Sequence, residues 1–401
     1  MNAKRVAHVA LDFGQPSETF IADAIEATAI DGWEPWLLAG TVTNRGTFAY
    51  PPSERVIQST HMPKSQRIVR RARLYAGMDR TTPRMWPGFD ELDPAIVMAH
   101  FGYAALHAAP LARRAGVPLV TIFHASDVAT FPQFHGPERL LGAAQGRRHK
   151  LDLVLPRIDT AIAVSGWVED ELRLLGYEGE IVRIPVGIRL DRFSLRGPDE
   201  IPPPSPLRLA FVGRLVERKG VDTLLNAIAL VAGIVPDVTL DIVGDGPLRA
   251  EMEQLAETLR VNVTFHGSQP PDYVARVLRG SHILAMTSRT MSSGERESSP
   301  MVLKEAMAVG VAVVTTDNGG CAEILPPAYR DEVVPENDPP ALAARIIAVA
   351  GDVNLPSRVT QSRAWTEEQF DVETVGRRTV SIFDWLVSQS HENERIAQPT
   401  P

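Results

Sequence analysis

Strand-sized apolar runs alternate with helical stretches along most of this chain, in two series divided by a proline-dense segment, RGPDEIPPPSPL at 196–207. The first series is VAHVAL (6–11), PWLLA (35–39), RVIQS (55–59), AIVMAH (95–100), PLVTIFH (118–124), TAIAVS (160–165) and EIVRIPV (180–186). The second is LRLAFVG (207–213), VTLDIVGD (238–245), VNVTFHG (261–267), HILAMTS (282–288) and VAVVTT (311–316). Several runs are apolar almost throughout, as strands covered on both faces of a parallel sheet must be. Right-handed crossovers between such strands make an open, doubly wound α/β sheet in each half. Ligands of these sheets bind beyond the carboxyl ends of the strands, so two in tandem predict a cleft between domains. The expected layout is a first domain over 1–195, a linker over 196–206 and a second domain over 207–364. An amphipathic helix over 365–388 and a tail over 389–401 complete it. Between the first strands, SETFIADAIEATAIDG reads as a helix, with Ser17 as N-cap and Gly32 past its end.

The 401 residues exceed one comfortable core, which agrees with two domains. The run after Met1 alternates like a strand and reaches Asp12 without a small-residue cleavage site, so no signal peptide is expected. Cys321 is the sole cysteine, which excludes an internal disulfide and fits a reducing, cytoplasmic setting. Residues 1–190 hold 21 Lys and Arg against 20 Asp and Glu, and the rest 20 against 29, so the acidic excess lies in the second half. Basic residues bunch at Lys64, Arg67, Arg70, Arg71 and Arg73, and again at Arg147, Arg148 and Lys150. Solvated helix faces are the plain reading of both. The sharper one is peripheral attraction to an anionic membrane or a phosphorylated acceptor, each basic residue near such a surface contributing roughly 1 kcal/mol. An acidic chain without interleaved aromatics lacks the footprint of a nucleic-acid binder.

Chemistry concentrates at the strand ends. In FVGRLVERKG (211–220), Gly213 ends a strand, and Arg214 and Lys219 follow it before a helix. Two cations beside a tight turn suit a diphosphate, one as a bidentate fork and the other as a point charge. Two surface cations in a loop are an equally good account of those residues taken alone. VGDGP (243–247) and FHGSQP (265–270), with Gly244 and Gly267, are further strand-end turns, and Pro247 suits a first helical position. Neither a P-loop nor a G-x-G-x-x-G after the first strand is present.

The segment GERESSPMVLKEAMAVG (294–310) carries more. Pro300 is expected at the first position of the helix, Ser298 and Ser299 around its cap and Gly310 past its end. Its free N–H groups make an anion site. Glu297 sits outside the helix and Glu305 inside it, in an apolar stretch that predicts burial and hence a polar partner. TTDNGGCAEIL (315–325) follows the next strand. In the first half His100 and His124 close neighbouring strands, with Asp127 one turn on. A lone histidine of this kind is more often structural, but two facing one cleft point towards function.

Together these motifs resemble the retaining, nucleotide-sugar-dependent glycosyltransferases of family 4, of GT-B fold, over nearly the whole chain. ESSPMVLKEAMA matches the family's E-x-x-P-x-V-x-x-E-A-M-A, and FVGRLVERKG, VGDGP and TTDNGG-x-x-E stand where the family has them. PSETFI (16–21), AHFG (99–102) and FHASD (123–127) resemble the branch that builds exopolysaccharides of the colanic-acid type. The resemblance implies two Rossmann-like domains and a UDP-, GDP- or ADP-sugar as donor substrate, with no further cofactor. It implies a saccharide, lipid-linked or small-molecule acceptor, and a terminal helix that crosses back to the first domain. Arg214 and Lys219 would bind the donor diphosphate, Glu305 the ribose, and Glu297 the donor sugar. The backbone from Ser299 through Pro300, Met301 and Val302 would meet phosphate or sugar, and Gly14, Gly213, Gly244 and Gly267 would line the donor side. His124 would lie near the reacting bond, with Ser17, Glu18, His100 and Asp127 on the acceptor side. The chain departs from the family at Val186, where asparagine is usual, and at Ser298–Ser299. Its first loop is also not glycine-rich.

No Asp-x-Asp closes a strand and no His/carboxylate cluster has ligand spacing, so metal-independent transfer is expected. Arg214, Lys219 and the helix start would then stabilise the leaving diphosphate. An epimerase on the same fold, with Asp12, Glu18 or Asp127 as acid and base, and an exported sugar-binding protein are the alternatives.

Overall fold

A computed structural model describes residues 3–14, 19–43, 51–59, 85–128 and 154–397. The chain divides into two compact units, Met1–Gly187 with Val372–Pro401, and Ile188–Asp371.

The first unit contains β1 (Lys4–Phe13), β2 (Trp33–Val42), β3 (Val56–Gln58), β4 (Ile96–His100), β5 (Leu119–Phe123), β6 (Thr160–Ala163) and β7 (Glu180–Arg183). They form one parallel sheet in the order β3-β2-β1-β4-β5-β6-β7. The second contains β8 (Arg208–Val212), β9 (Thr239–Val243), β10 (Val263–Gly267), β11 (Ile283–Met286) and β12 (Ala312–Thr315), in the order β10-β9-β8-β11-β12 and again parallel. Every apolar run singled out in the sequence became one of these strands. In each sheet the strand order reverses beside the first strand, between β1 and β4 and between β8 and β11. The carboxyl ends there are where ligands of such sheets bind.

Period-two alternation explains why the second sheet is covered on both faces. Leu209 and Phe211 pack with Leu224, Leu225 and Ile228 of the helix Val221–Ala232. Ala210, one residue out of phase, packs instead with Leu303 and Met307 of the helix Met301–Val309. Phe211 is fully buried, and truncating it to alanine costs about 3–5 kcal/mol.

Three expectations are corrected. The segment 196–206 belongs to the second unit and does not join two bodies. The Arg196 amide donates to Val309 O at 3.0 Å, and its Nη1 donates to Ser281 O at 2.6 Å. Prolines limit that stretch to one 3-10 turn, Pro198–Glu200, but do not stop its neighbours from docking. The single helix drawn over 365–388 is two, Leu355–Phe370 and Val372–Ala397, because Asp371 is extended (φ −57°, ψ 130°). The first helix, Thr19–Ala27, stops short of Gly32.

The last helix is built into the first unit. A Cβ at Gly376 would lie 2.2 Å from Ala27 O, so only glycine permits that approach. Beside it Trp33 packs edge-on against Phe383, with ring centroids 5.2 Å apart.

Candidate active site

Three glycines that looked unremarkable singly are neighbours. The Gly213 amide donates to Val243 O (2.9 Å) and the Gly244 amide to Gly267 O (2.8 Å), so the ends of β8, β9 and β10 stand side by side. A Cβ at Gly244, whose φ is +141°, would lie 1.8 Å from Gly213 O, so the backbones meet only without one. From this floor Arg214 projects exposed, and among the described residues it forms no ion pair. Lys219 ends a short 3-10 turn, Glu217–Lys219, that leads into the helix at Val221 through Gly220.

Lys219 meets Glu297. Its Nζ lies 2.8 Å from the Glu297 carboxylate, with Arg218 Nη1 at 3.7 Å and the Ser288 hydroxyl donating at 3.1 Å. Glu297 is buried. Burial works against its ionisation, yet Lys219, Arg218 and the Ser288 hydroxyl outweigh that and hold its carboxyl below the usual range. The backbone is fixed as firmly. The Glu297 amide donates to Asn318 Oδ1 (2.8 Å), and Glu297 O accepts from the Gly320 amide (3.0 Å). Asn318 is itself held, because its Nδ2 donates to Glu336, which also accepts from the amide and hydroxyl of Thr290. Those three partners keep the Glu336 carboxyl low despite burial that acts to raise it. Sequence reasoning missed Ser288, Asn318 and Glu336. Asn318 in TTDNGG was the only visible signal, since its partners lie many residues away.

The helix that follows runs Met301–Val309 with Pro300 as its N-cap, one position earlier than expected, and no side chain caps it. Its leading N–H groups therefore have no intrahelical or capping acceptor, and they carry the positive end of the helix dipole. Gly310 ends it at φ +89°. The burial expectation was misplaced by one residue. Glu305 is half-buried and Lys304 is the fully buried one, its Nζ donating to Ser299 Oγ at 2.6 Å. One residue of shift rotates a helical side chain by about 100°, enough to exchange inside for outside. Pro247 likewise falls short of its helix, which starts at Arg249 after the cap Leu248.

In the first unit β4 ends at His100 and His124 directly follows β5. Both line one pocket with Phe20, Met98 and Ile122. His100 is held from behind. Thr28 donates its hydroxyl to Ile25 O, so His8 Nε2–H donates to Thr28 Oγ1 at 3.0 Å. His8 Nδ1 must then accept from His100 Nε2–H at 3.1 Å. That chain leaves Nδ1 of His100 as the lone-pair nitrogen. Burial lowers the pKa of both rings, that of His100 to about 4, and keeps them neutral. His124 packs between Phe20 and Phe101, with ring centroids 5.0 and 4.6 Å away. Asp127 accepts the His124 amide at 3.0 Å, a capping contact. Gly14 stands at the end of β1 beside Thr43, whose amide donates to Phe13 O. Ser17, Glu18 and the basic clusters at Lys64–Arg73 and Arg147–Lys150 lie outside the described residues. Among the described residues no group of three or more His, Cys, Asp or Glu side chains is placed to hold a metal ion. No helix among them is long and apolar enough to cross a membrane.

This geometry has counterparts. Residues 198–363 match the family model described as glycosyl transferases group 1, and residues 17–192 that described as Glycosyltransferase Family 4. The chain is 30% identical over 301 residues to WcaL of Escherichia coli (strain K12), whose name assigns it to colanic acid biosynthesis as a glycosyltransferase. That match covers 73% of this chain and 70% of WcaL. The amylovoran biosynthesis glycosyltransferase AmsK of Erwinia amylovora is 27% identical over the same length, covering 73% and 70%. Among solved structures, sucrose-phosphate synthase from Thermosynechococcus elongatus superposes with a TM-score of 0.74 at 19% identity, over 96% of this chain and 100% of that one. HepE of Anabaena, in complex with UDP and glucose, gives 0.72 at 18%, over 96% and 100%. At those identities the likeness speaks for the GT-B fold class.

Proposed function

The chain belongs to the glycosyltransferases of group 1 and family 4, and from that premise we propose a retaining, metal-independent sugar transfer. Its donor is a nucleotide sugar. The acceptor in this reading is a hydroxyl of a growing saccharide, free or lipid-linked, as the relatives named for colanic acid and amylovoran suggest. The epimerase alternative finds no support among the relatives.

One observation carries the assignment of roles. A lysine–glutamate pair, Lys219 with Glu297, ties the loop that follows Arg214 to the segment that leads into the uncapped start of Met301–Val309. Breaking the sugar–diphosphate bond leaves negative charge on phosphate and positive charge on the sugar. Arg214, Lys219 and the helix N–H groups address the first, in an environment already fixed before the charge develops. A phosphate at Lys219 competes with Glu297 for the ammonium, and the released carboxylate edge turns to the sugar. Glu305 takes the ribose hydroxyls, and the backbone from Ser299 to Val302 takes phosphate or sugar. In the first unit His124 and His100 serve the acceptor in this reading, His100 offering its fixed Nδ1 lone pair to an acceptor hydroxyl. For retention, a donor phosphate oxygen accepts the acceptor's proton on the face from which phosphate leaves.

The test is a panel of UDP-, GDP- and ADP-sugars incubated with and without lipid extract, the product's anomeric configuration being read by NMR. Transfer with the donor's configuration kept is the expected result. Inversion overturns the retaining assignment, and donor conversion without any acceptor would restore the epimerase.

A further inference from the structure

Lys304 is the one charged side chain that the mechanism above leaves unused in the helix beneath the proposed diphosphate site. It is fully buried, its Nζ sits 5.0 Å over the ring of Phe370, and it donates to Ser299 Oγ at 2.6 Å. An ammonium has three donors and no acceptor, so it occupies a lone pair of Ser299 Oγ and cannot receive the hydroxyl proton. Ser299 is 8% exposed, directly before the helix start, so a ligand oxygen there is a ready acceptor for that proton.

We propose that Lys304 is a positioning residue for sugar transfer: from inside the fold it polarises Ser299, so that the serine hydroxyl donates to the leaving phosphate of the donor. The proposal rests on the reading that this helix start receives the diphosphate. It reaches further in assigning a specificity for the phosphate's charged, acceptor-only oxygens to a side chain that never touches them.

The arrangement has a direction that pH reverses. A neutral amine carries a lone pair, so deprotonated Lys304 accepts from the Ser299 hydroxyl and withdraws the proton from the ligand. Burial lowers the Lys304 pKa to about 7, with Glu305 opposing the fall. Most charged groups on neighbouring elements are otherwise engaged. On Leu355–Phe370, Arg363 bonds Ala308 O and pairs with Glu367, and Arg358 pairs with Glu332 and Asp352. Glu368 also belongs to that helix. On Pro271–Arg279, Arg279 pairs with Glu200, Arg276 stacks on Tyr273, and Asp272 lies in the first turn. Strands β11 and β12 carry no titratable side chain.

The experiment is titration of the full-length protein with UDP, and in parallel GDP, by calorimetry at pH 6.0 and pH 8.5. The proteins are wild type, Lys304→Met, Ser299→Ala and the double variant, with thermal stability checked for each. The nucleotide's own ionisation is common to all four and cancels in the comparison. At pH 6.0 each single variant should lose affinity about tenfold, and the double variant no more than the weaker single one, as expected of residues acting as a unit. At pH 8.5 the losses should shrink to about twofold or less. Additive losses, or a Lys304→Met protein with the wild-type pH dependence, overturn the proposal. If Lys304→Met does not fold, Ser299→Ala decides: an equal loss at both pH values overturns it. Arg214→Ala and Lys219→Ala separate the two levels. If they bind nucleotide as wild type does, the diphosphate site is misplaced and the inference falls with it. If they bind weakly while Ser299→Ala does not, the inference alone is wrong.

Discussion

The two units solve the same problem, a polar group at a parallel strand's carboxyl end, in opposite ways. The first keeps its groups neutral: Thr28, His8 and His100 hand hydrogen bonds along a buried line, and burial holds both rings uncharged. The second keeps its groups charged, with Glu297 ionised against Lys219 and Arg218. Neutral buried imidazoles suit the orientation of a hydroxyl. Fixed ions suit a leaving group that carries charge throughout. The difference teaches that the fold supplies only the position, and that the neighbours of each strand end decide its chemistry.

If the charged side carries the transition state, Glu297→Gln should lower kcat by about 2–3 orders of magnitude, more than it raises KM, as for other lost electrostatic contacts. Wild-type kcat in that variant would break the comparison.

Acid should separate the units next. His100 titrates near 6.5 when unfolded and at about 4 when folded, so the folded state binds fewer protons between those values. Its stabilising contribution is complete above about pH 6.5 and is lost as pH falls towards 4, on the order of 3 kcal/mol. Hydrogen exchange should therefore show β1 and β4 amides loosening between pH 6.5 and 4, with β8 and β11 protected to lower pH. Simultaneous loss would show that the imidazole line is not the weak point.

Glu305→Gln sharpens the comparison within the second unit. A half-buried group that binds ribose contributes equally to ground and transition states, so donor KM should rise about tenfold with kcat nearly kept. A kcat defect like that of Glu297→Gln would merge the two roles.

The smallest effect expected is none. If Arg214, Lys219 and the helix start supply the positive field, EDTA should leave turnover unchanged. Loss in EDTA with recovery in Mn²⁺ would show that an ion is required. Reversing Arg67, Arg70 and Arg71 to glutamate tests membrane contact separately, with weaker binding to anionic vesicles expected and unchanged binding counting against it.

Every strand was legible because apolar runs of that length, bounded by Gly and Pro, have little else to become. Placements that depend on one residue of helical phase were not. Phe370, distant in sequence, covers Lys304, and Glu305 takes the half-buried side. The Asn318–Glu336–Thr290 brace that holds Glu297 could not be read from spacing, since β12 and a following loop bring it together. The motif residues Arg214, Lys219, Glu297 and Glu305 were visible as chemistry. Which of them carries an ion pair was not.

The division at Ile188 and Val372 also has a consequence for biosynthesis. The second unit is one uninterrupted stretch and can condense as soon as Asp371 clears the ribosome. The first emerges earlier but lacks the helix that covers Trp33 and Ala27 until Val372–Ala397 is translated. At about 5–20 residues per second, that leaves it waiting roughly ten seconds or more with an apolar flank uncovered. The half that starts first finishes last, and a ribosome stalled before Val372 would release a finished second unit tethered to an incomplete first one.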